Sequence, residues 1–274
     1  MDPNPEKIVD LVSDSPKVLT EEEQFILEQQ EARLVPAFKA NKLEIDAKKH
    51  WDVFYKRNEN RFFKDRNWTT REFEELLDEG QKDKVLLEIG CGVGNFLYPL
   101  LECGFRGFIH ACDLSPRAIE LVKSNEKYNP NCISAFSADV TTDNLCDFIE
   151  PNSVDFVTLI FVLSAIHPEK HANVVKNIFQ ILKPGGLILL RDYGLYDMTQ
   201  LRFKPGHKIA DNFYMRQDGT RSYFFSTEEL RDLFSKNGFE VIANLFVQRR
   251  TINVKENIDV PRIFAQAKFR KYEF

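Results

Sequence analysis

From Lys84 onward, short apolar runs alternate with amphipathic stretches. Runs at 84–89, 107–112, 133–137, 154–162 and 186–192 predict strands, with helices at about 95–103, 116–127, 142–149 and 169–182 between them. Val85-Leu86-Leu87 and Leu187-Ile188-Leu189-Leu190 are apolar without interruption, as strands buried on both faces must be. Strand–helix alternation of this kind specifies a parallel sheet with right-handed crossovers. Lys183-Pro184-Gly185-Gly186 is expected to end the last of these helices, because Pro and Gly cannot continue it. The pattern then dissolves into a loop-rich insertion at about 194–225. A helix at 227–237, capped by Ser226 or Thr227, and strands at 239–248 and 261–269 close the chain. This predicts one doubly wound α/β domain over 81–274.

Ahead of that domain the pattern is helical. Thr20 followed by Glu21, Glu22 and Glu23 has the form of a capping box, and a long helix to about Asn58, broken at Pro36, is expected behind it. Asn67-Trp68-Thr69-Thr70 then leads a short helix through Leu77. Residues 20–80 are therefore expected to form a helical arm, rich in aromatics and basic over 48–71. Residues 1–19 mix Pro, Asp, Ser and Asn without periodicity and read as a disordered tail.

The 274 residues, 43% of them apolar, suit a globular domain with an appended arm. The longest uncharged apolar stretch, Phe156 to Ile166, is far short of the roughly 20 residues of a membrane-crossing helix. Five cysteines with no CxxC pair point to a reducing compartment, and an acidic N-terminus is unlike a mitochondrial presequence; cytoplasm or nucleus is expected. The net charge of −5 conceals strong segregation. Residues 1–31 carry nine acids against two lysines, residues 48–71 eight bases against three acids, and residues 245–274 seven bases against three acids. Local basic surface decides whether phosphate can be held.

The most informative segment is Glu88-Ile-Gly90-Cys-Gly92-Val-Gly94-Asn95, directly after the first strand of the domain. Glycines there let the backbone turn sharply and approach a ligand. The spacing is G-x-G-x-G, not the G-x-G-x-x-G of dinucleotide enzymes. Asp113 ends the second strand, where a carboxylate accepts hydrogen bonds from ribose hydroxyls; Asp139 follows the third, in position to meet an adenine amino group. Cys91 among the glycines is read as packing. His167 and His171, split from a regular helix by Pro168, are read as a surface pair, and no metal is assigned.

An acid followed by G-x-G-x-G, with acids after the next two strands, resembles the class I S-adenosylmethionine-dependent methyltransferases. That resemblance implies a Rossmann-like, seven-stranded, mostly parallel sheet whose last two strands form a reversed hairpin. A narrower resemblance rests on longer motifs. Trp51-Asp-Val-Phe-Tyr55-Lys-Arg-Asn58, Phe62-Phe63-Lys64-Asp65-Arg66-Asn67-Trp68, Phe161-Val-Leu-Ser164-Ala-Ile-His167-Pro168, Arg191-Asp192-Tyr193-Gly194, Arg221-Ser-Tyr223-Phe-Phe225 and Val260-Pro261-Arg262-Ile263-Phe264 are similar to the tRNA 3-methylcytidine methyltransferases, and most similar to the branch acting on serine tRNAs. The similarity covers about 20–270. Asn67 stands where the family has His, which puts a hydrogen-bonding role there in doubt.

The resemblance implies S-adenosylmethionine as cofactor, tRNA as substrate, methylation of cytidine N3 in the anticodon loop, and seryl-tRNA synthetase as a partner. It places Trp51 and Tyr55 over the cofactor, with Glu88, Gly90, Gly92, Gly94, Asp113, Asp139 and Ile160 around it. The product ring is cationic, so Asp192 is the expected catalytic carboxylate, and Tyr193 and Tyr223 are expected to stack on or orient the base. Arg61, Phe62, Phe63, Lys64, Arg66, Arg191 and Arg249 are the expected RNA contacts, since aromatics interleaved with bases suit stacking beside phosphate. Two other readings stay open: a class I methyltransferase acting on a small molecule or protein, and a non-catalytic RNA-binding subunit of the same fold. A binding module needs none of Glu88, the glycines, Asp113 or Asp139.

Overall fold

The computed structural model describes residues 11–59, 64–66, 68–77, 83–253 and 258–273. Its centre is an eight-stranded sheet. In chain order the strands are β1 (Leu11–Ser13), β2 (Val85–Ile89), β3 (Phe108–Asp113), β4 (Ile133–Ser137), β5 (Val154–Ile160) and β6 (Leu182–Tyr193), then β10 (Phe239–Asn253) and β11 (Ile258–Lys271), in the spatial order β1-β10-β11-β6-β5-β2-β3-β4. The block from β6 to β4 is parallel, whereas β11, β10 and β1 join antiparallel. Strand order reverses between β2 and β5, so the carboxyl ends of β2 and β5 open a crevice there.

Helices cover both faces. The described ones are α1 (Glu21–Glu31), α2 (Ala37–Ile45), α3 (Ala47–Asn58), α4 (Thr69–Glu72), α5 (Leu97–Glu102), α6 (Pro116–Lys123), α7 (His171–Ile181), α8 (Met198–Leu201) and α9 (Thr227–Ser235). Leu87, Ile89, Val157, Leu159 and Leu190 face α7 and α9, while Leu86, Ile109, Phe156 and Leu189 face α5 and the α4 segment. Alternate residues of one strand thus feed two cores, which is why β2, β5 and β6 are apolar throughout.

Several expectations need correction. Of the expected tail, residues 1–10 lie outside the described residues, and Leu11–Ser13 form β1, which pairs antiparallel with β10, Val12 opposite Val247, and makes an eighth strand beside the expected seven. Its three residues are too few for any periodicity to show. The Thr20 capping box is present, with Glu23 N donating to Thr20 Oγ1 at 3.2 Å and Thr20 N to Glu23 Oε2 at 3.1 Å. The helix behind it is broken at Asp46 as well as near Pro36, giving three arm helices. The helix expected at 142–149 shrinks to a single 3-10 turn, Leu145–Asp147, capped by Asn144. Lys183–Gly186 does not separate helix from strand. β6 starts at Leu182, and the register with β5 jumps from Val154–Leu182 to Phe156–Leu187, so the Pro-Gly-Gly segment bulges out of the ladder. Within its loops the insertion also holds a small antiparallel sheet, β7 (Lys208–Ala210), β8 (Phe213–Met215) and β9 (Arg221–Tyr223).

The closing hairpin is longer than its apolar runs suggest. Arg249 pairs with Arg262 and Arg250 with Pro261, beyond Phe264, the last residue of β11 matched to β6. On the β6 side Gly194 N donates to Ile263 O at 3.1 Å and Ile263 N to Asp197 Oδ1 at 2.7 Å, and no strand among the described residues pairs with β11 past them, so a proline without an N–H costs no ladder bond at 261.

Candidate active site

The glycine turn sits at the carboxyl end of β2. Gly90 and Gly92 have φ of +66° and +55°. A Cβ at Gly90 would lie 2.6 Å from Val162, and one at Gly92 would lie 2.9 Å from the Tyr55 hydroxyl. The turn is therefore pressed between the loop after β5 and the arm, and only glycine fits. Gly94 serves a different end: its Cβ would strike the Tyr98 ring at 2.4 Å, which makes it a packing glycine for α5 and not part of the cleft lining.

Asp113 accepts Gly92 N and Ser115 N at 2.9 Å, one on each oxygen, which ties the turn to the start of α6. Burial pushes its carboxyl up to about 6, against the pull of those two N–H groups. Asp139 Oδ1 accepts Thr141 N at 3.0 Å and Thr141 Oγ1 at 2.7 Å. Both carboxylates line a cleft of about 330 Å³, in the range of small-molecule sites. Trp51 and Tyr55 of α3 form its outer wall. α3 is held there by Phe54 and Tyr55 packing on Val93 and Ala118, and by Asp52 accepting from the Ser115 hydroxyl.

A smaller chamber of about 50 Å³ continues from the cleft past Trp51, Tyr55, Gly90 and Phe161. Arg66, Asn95, Ser164, Tyr193, Arg216 and Arg221 complete its wall. Arg221 meets Glu44 of α2, which also takes Lys170 Nζ at 2.5 Å, so an arm carboxylate fastens the arm to the insertion.

The loop 161–166 separates cleft from core and is unusually constrained. Phe161 has φ +59°, a left-handed backbone that bulky residues avoid. Its ring centroid lies 5.1 Å from that of Tyr193, and the Arg66 guanidinium stands 5.5 Å from its centre. The conformation is over-determined by its neighbours. Asp192 Oδ2 accepts Val162 N at 3.1 Å and Ser164 N at 3.0 Å, His171 Nε2 lies 2.9 Å from Leu163 O, Arg221 donates to Ala165 O at 3.3 Å, and Arg66 donates to Ile160 O at 3.0 Å.

These contacts change several assignments made from sequence. Asp192 is fully buried beneath the loop, outside both cavities, and acts on the site by positioning the loop. Burial raises its carboxyl to about 6. Tyr223 points into the core, donating to Glu229 and packing on Phe213 and Phe225, so it lies away from the chamber that Tyr193 does line. Glu88 is 2% exposed and lies under the turn, and Ile160 is buried with its carbonyl occupied by Arg66. Glu88 Oε2 has no hydrogen-bond partner among the described residues, and burial drives its carboxyl up to about 8, with Arg66 pulling the other way. His171 is buried in the core, not on the surface; burial lowers its imidazole to about 4.

The expected RNA contacts also separate. Arg61, Phe62 and Phe63 lie outside the described residues, as does Asn67, and Lys64 is exposed. Arg66 belongs to the inner chamber. Arg191 is 1% exposed, clamped between Trp68 and Phe264 with centroid distances of 4.4 and 4.7 Å, and donates to Gln266 Oε1 at 3.0 Å, so it cannot meet RNA. Arg249 meets Glu72. Arg216, Arg221, Asn95 and Ser164 escaped the sequence reading as individual site residues. Asn95, Ser164 and Arg221 stand inside the motifs quoted above, whereas nothing local marks Arg216, in the turn between β8 and β9.

A methyltransferase-domain family model matches residues 55–244. The mouse protein tRNA N(3)-cytidine methyltransferase METTL6 is 55% identical over 259 residues, which span 93% of this chain and 91% of the mouse protein. The fission yeast tRNA N(3)-methylcytidine methyltransferase trm140 is 42% identical, over 88% of this chain and 80% of its own. Among solved structures, an S-adenosylmethionine-dependent methyltransferase from Anabaena variabilis superposes with a TM-score of 0.61 at 15% identity, over 82% of this chain and 94% of that one, a likeness of fold.

Proposed function

The chain belongs to the tRNA N(3)-cytidine methyltransferases, S-adenosylmethionine-dependent enzymes of the class I fold, and from that premise we propose that it methylates N3 of a cytidine in the anticodon loop of serine tRNAs. The observation that carries the chemistry is the pair of joined cavities, one lined by Asp113 and Asp139 among its carboxylates and the next by aromatics and arginines.

The cleft fits the cofactor by its donor set. Asp113 suits the ribose hydroxyls, Asp139 the adenine amino group, and the tail would pass the turn at Gly90 beneath Trp51 and Tyr55. When bound, S-adenosylmethionine supplies an electrophilic methyl group on sulfonium. The protein's share is positioning. Cytosine N3 keeps its lone pair free at neutral pH, so no general base is needed, and orientation with electrostatics supplies the rate. N3 lies on the Watson–Crick edge, which requires an unpaired or extruded base. Phe161 and Tyr193 offer the ring walls of the inner chamber, and Asn95 and Ser164 its neutral polar groups.

Serine-tRNA preference and delivery by seryl-tRNA synthetase rest on the branch resemblance, together with an acidic N-terminal segment and a net charge of −5, which favour modest affinity for free tRNA. Five cysteines with no CxxC pair suit cytoplasm or nucleus. The test is nucleoside analysis of serine and threonine tRNAs after incubation with protein and methyl donor, with and without the synthetase. 3-Methylcytidine in serine tRNA, accelerated by the synthetase, is expected. Equal rates on both tRNAs, unmoved by the synthetase, would remove both the branch and the partner.

A further inference from the structure

Cleft and chamber share six lining residues, Trp51, Tyr55, Gly90, Phe161, Ala165 and Arg221, and Arg221 alone among them carries a charge. It stands where a methyl group must pass from one cavity to the other. Arg221 is 6% exposed, with Nη2 donating to Ala165 O at 3.3 Å and its guanidinium 5.6 Å from the centre of the Phe213 ring. A guanidinium buried to that degree needs a counter-charge.

The counter-charge comes from the arm. Leu43 of α2 shares a small core with Val35 and Met215, and Met215 stands directly opposite Arg221 in the β8–β9 ladder. Docking of Leu43 on that core brings the next residue, Glu44, to the Arg221 guanidinium. The same carboxylate takes Lys170 Nζ at 2.5 Å. We propose that Glu44 is a positioning residue that neutralises Arg221 at this passage, and that it sets the affinity of the cleft for the sulfonium form of the cofactor relative to the neutral sulfide. This rests on the reading of the two cavities as cofactor cleft and base chamber.

The charge balance at the passage makes such a group necessary. Transfer breaks the S–CH3 bond and forms the N3–CH3 bond with no proton lost. One positive charge therefore stays in the passage throughout, on sulfur before the step and on the cytosine ring after it. The chamber wall adds three more, on Arg66, Arg216 and Arg221, and holds no carboxylate. Asp192, behind the loop, is occupied by the backbone N–H groups of Val162 and Ser164. Among the described residues, Glu44 is the carboxylate that pairs with one of the three arginines. Without its charge, the Arg221 guanidinium would repel a cationic donor and leave a neutral sulfide untouched.

The test is titration calorimetry of full-length wild type, Glu44→Gln, Glu44→Asp and Lys170→Gln with S-adenosylmethionine and S-adenosylhomocysteine in parallel. The two ligands differ by a methyl group and its charge, so the ratio of their affinities reads the field at the passage more than the shape of the cleft. Glu44→Gln keeps the size of the side chain and is expected to lower the ratio about fivefold against S-adenosylmethionine, the scale of a charge–charge interaction in a medium of intermediate dielectric. Glu44→Asp keeps the charge and should keep most of the ratio. Lys170→Gln breaks the other half of the same bridge but removes a cation, so the ratio should hold or rise. An unchanged ratio in Glu44→Gln would overturn the proposal: with both affinities lowered alike, the bridge is a mechanical latch of the arm. A ratio that falls in Lys170→Gln as it does in Glu44→Gln would overturn it too. Failure of the underlying reading is separable, because the wild-type protein would then bind neither ligand.

Discussion

The Asp192 carboxylate holds the backbone N–H of Ser164 at 3.0 Å and that of Val162 at 3.1 Å on the same oxygen, so an acid at the end of β6 dictates the path of the loop after β5. Its other oxygen accepts Tyr193 N at 2.9 Å. An amide cannot accept on both sides. Asp192→Asn should therefore lose one or two charge-assisted hydrogen bonds worth about 1.5–3 kcal/mol each, lowering both melting temperature and turnover while cofactor affinity changes little. Calorimetric melting and initial rates check this; unchanged turnover would return Asp192 to a purely structural role.

Asp113 combines two duties, anchoring Gly92 and Ser115 and facing the cleft. Asp113→Ala should reduce affinity for S-adenosylmethionine or S-adenosylhomocysteine more than 100-fold, on the basis of two charged-acceptor hydrogen bonds at about 1.5–3 kcal/mol each. Titration calorimetry is the measurement, and wild-type affinity would take Asp113 out of the site.

The glycines of the turn should respond differently to the same substitution. Gly92→Ala forces a left-handed residue at a cost of about 1–2 kcal/mol and pushes its Cβ against the Tyr55 hydroxyl, so cofactor affinity falls. Gly94→Ala meets the Tyr98 ring instead and should chiefly lower the melting temperature. Melting curves and calorimetry on both variants separate the two; identical losses of cofactor affinity would contradict the packing role given to Gly94.

Glu88 gives a pH signature. Burial holds its carboxyl at about 8, above an unfolded value near 4.3, so the folded state retains the proton longer than the unfolded one. Its contribution to stability is intact below about pH 4.3 and is lost progressively up to about pH 8, at roughly 1.4 kcal/mol per pH unit, then levels off. Glu88→Gln mimics the protonated form. Denaturant unfolding of ligand-free protein should show the variant gaining stability over wild type as pH rises from 5 to 8. Parallel curves would mean that Glu88 is ionised in the folded state.

The strands of the parallel block, the glycine turn and the acids after β3 and β4 were legible because each depends on residues close together in the chain. Burial on both faces writes itself as a run of apolar residues, and a left-handed turn writes itself as glycine. The short β1, the projecting ends of β10 and β11 and the three strands of the insertion left no such trace, since three residues hold no period and Arg249, Arg250 and Pro261 look like loop. Charged side chains were misplaced for a related reason. Arg191, Asp192 and Tyr193 are adjacent in sequence, yet successive side chains of a strand leave by opposite faces. One meets Trp68 and Phe264, the next lies under the loop, and the third reaches the chamber. The sequence alone determined which chemistry is present and on which elements. Only the tertiary structure, through strand alternation and the docking of arm on insertion, decided which of those groups face the cleft and which hold it in shape.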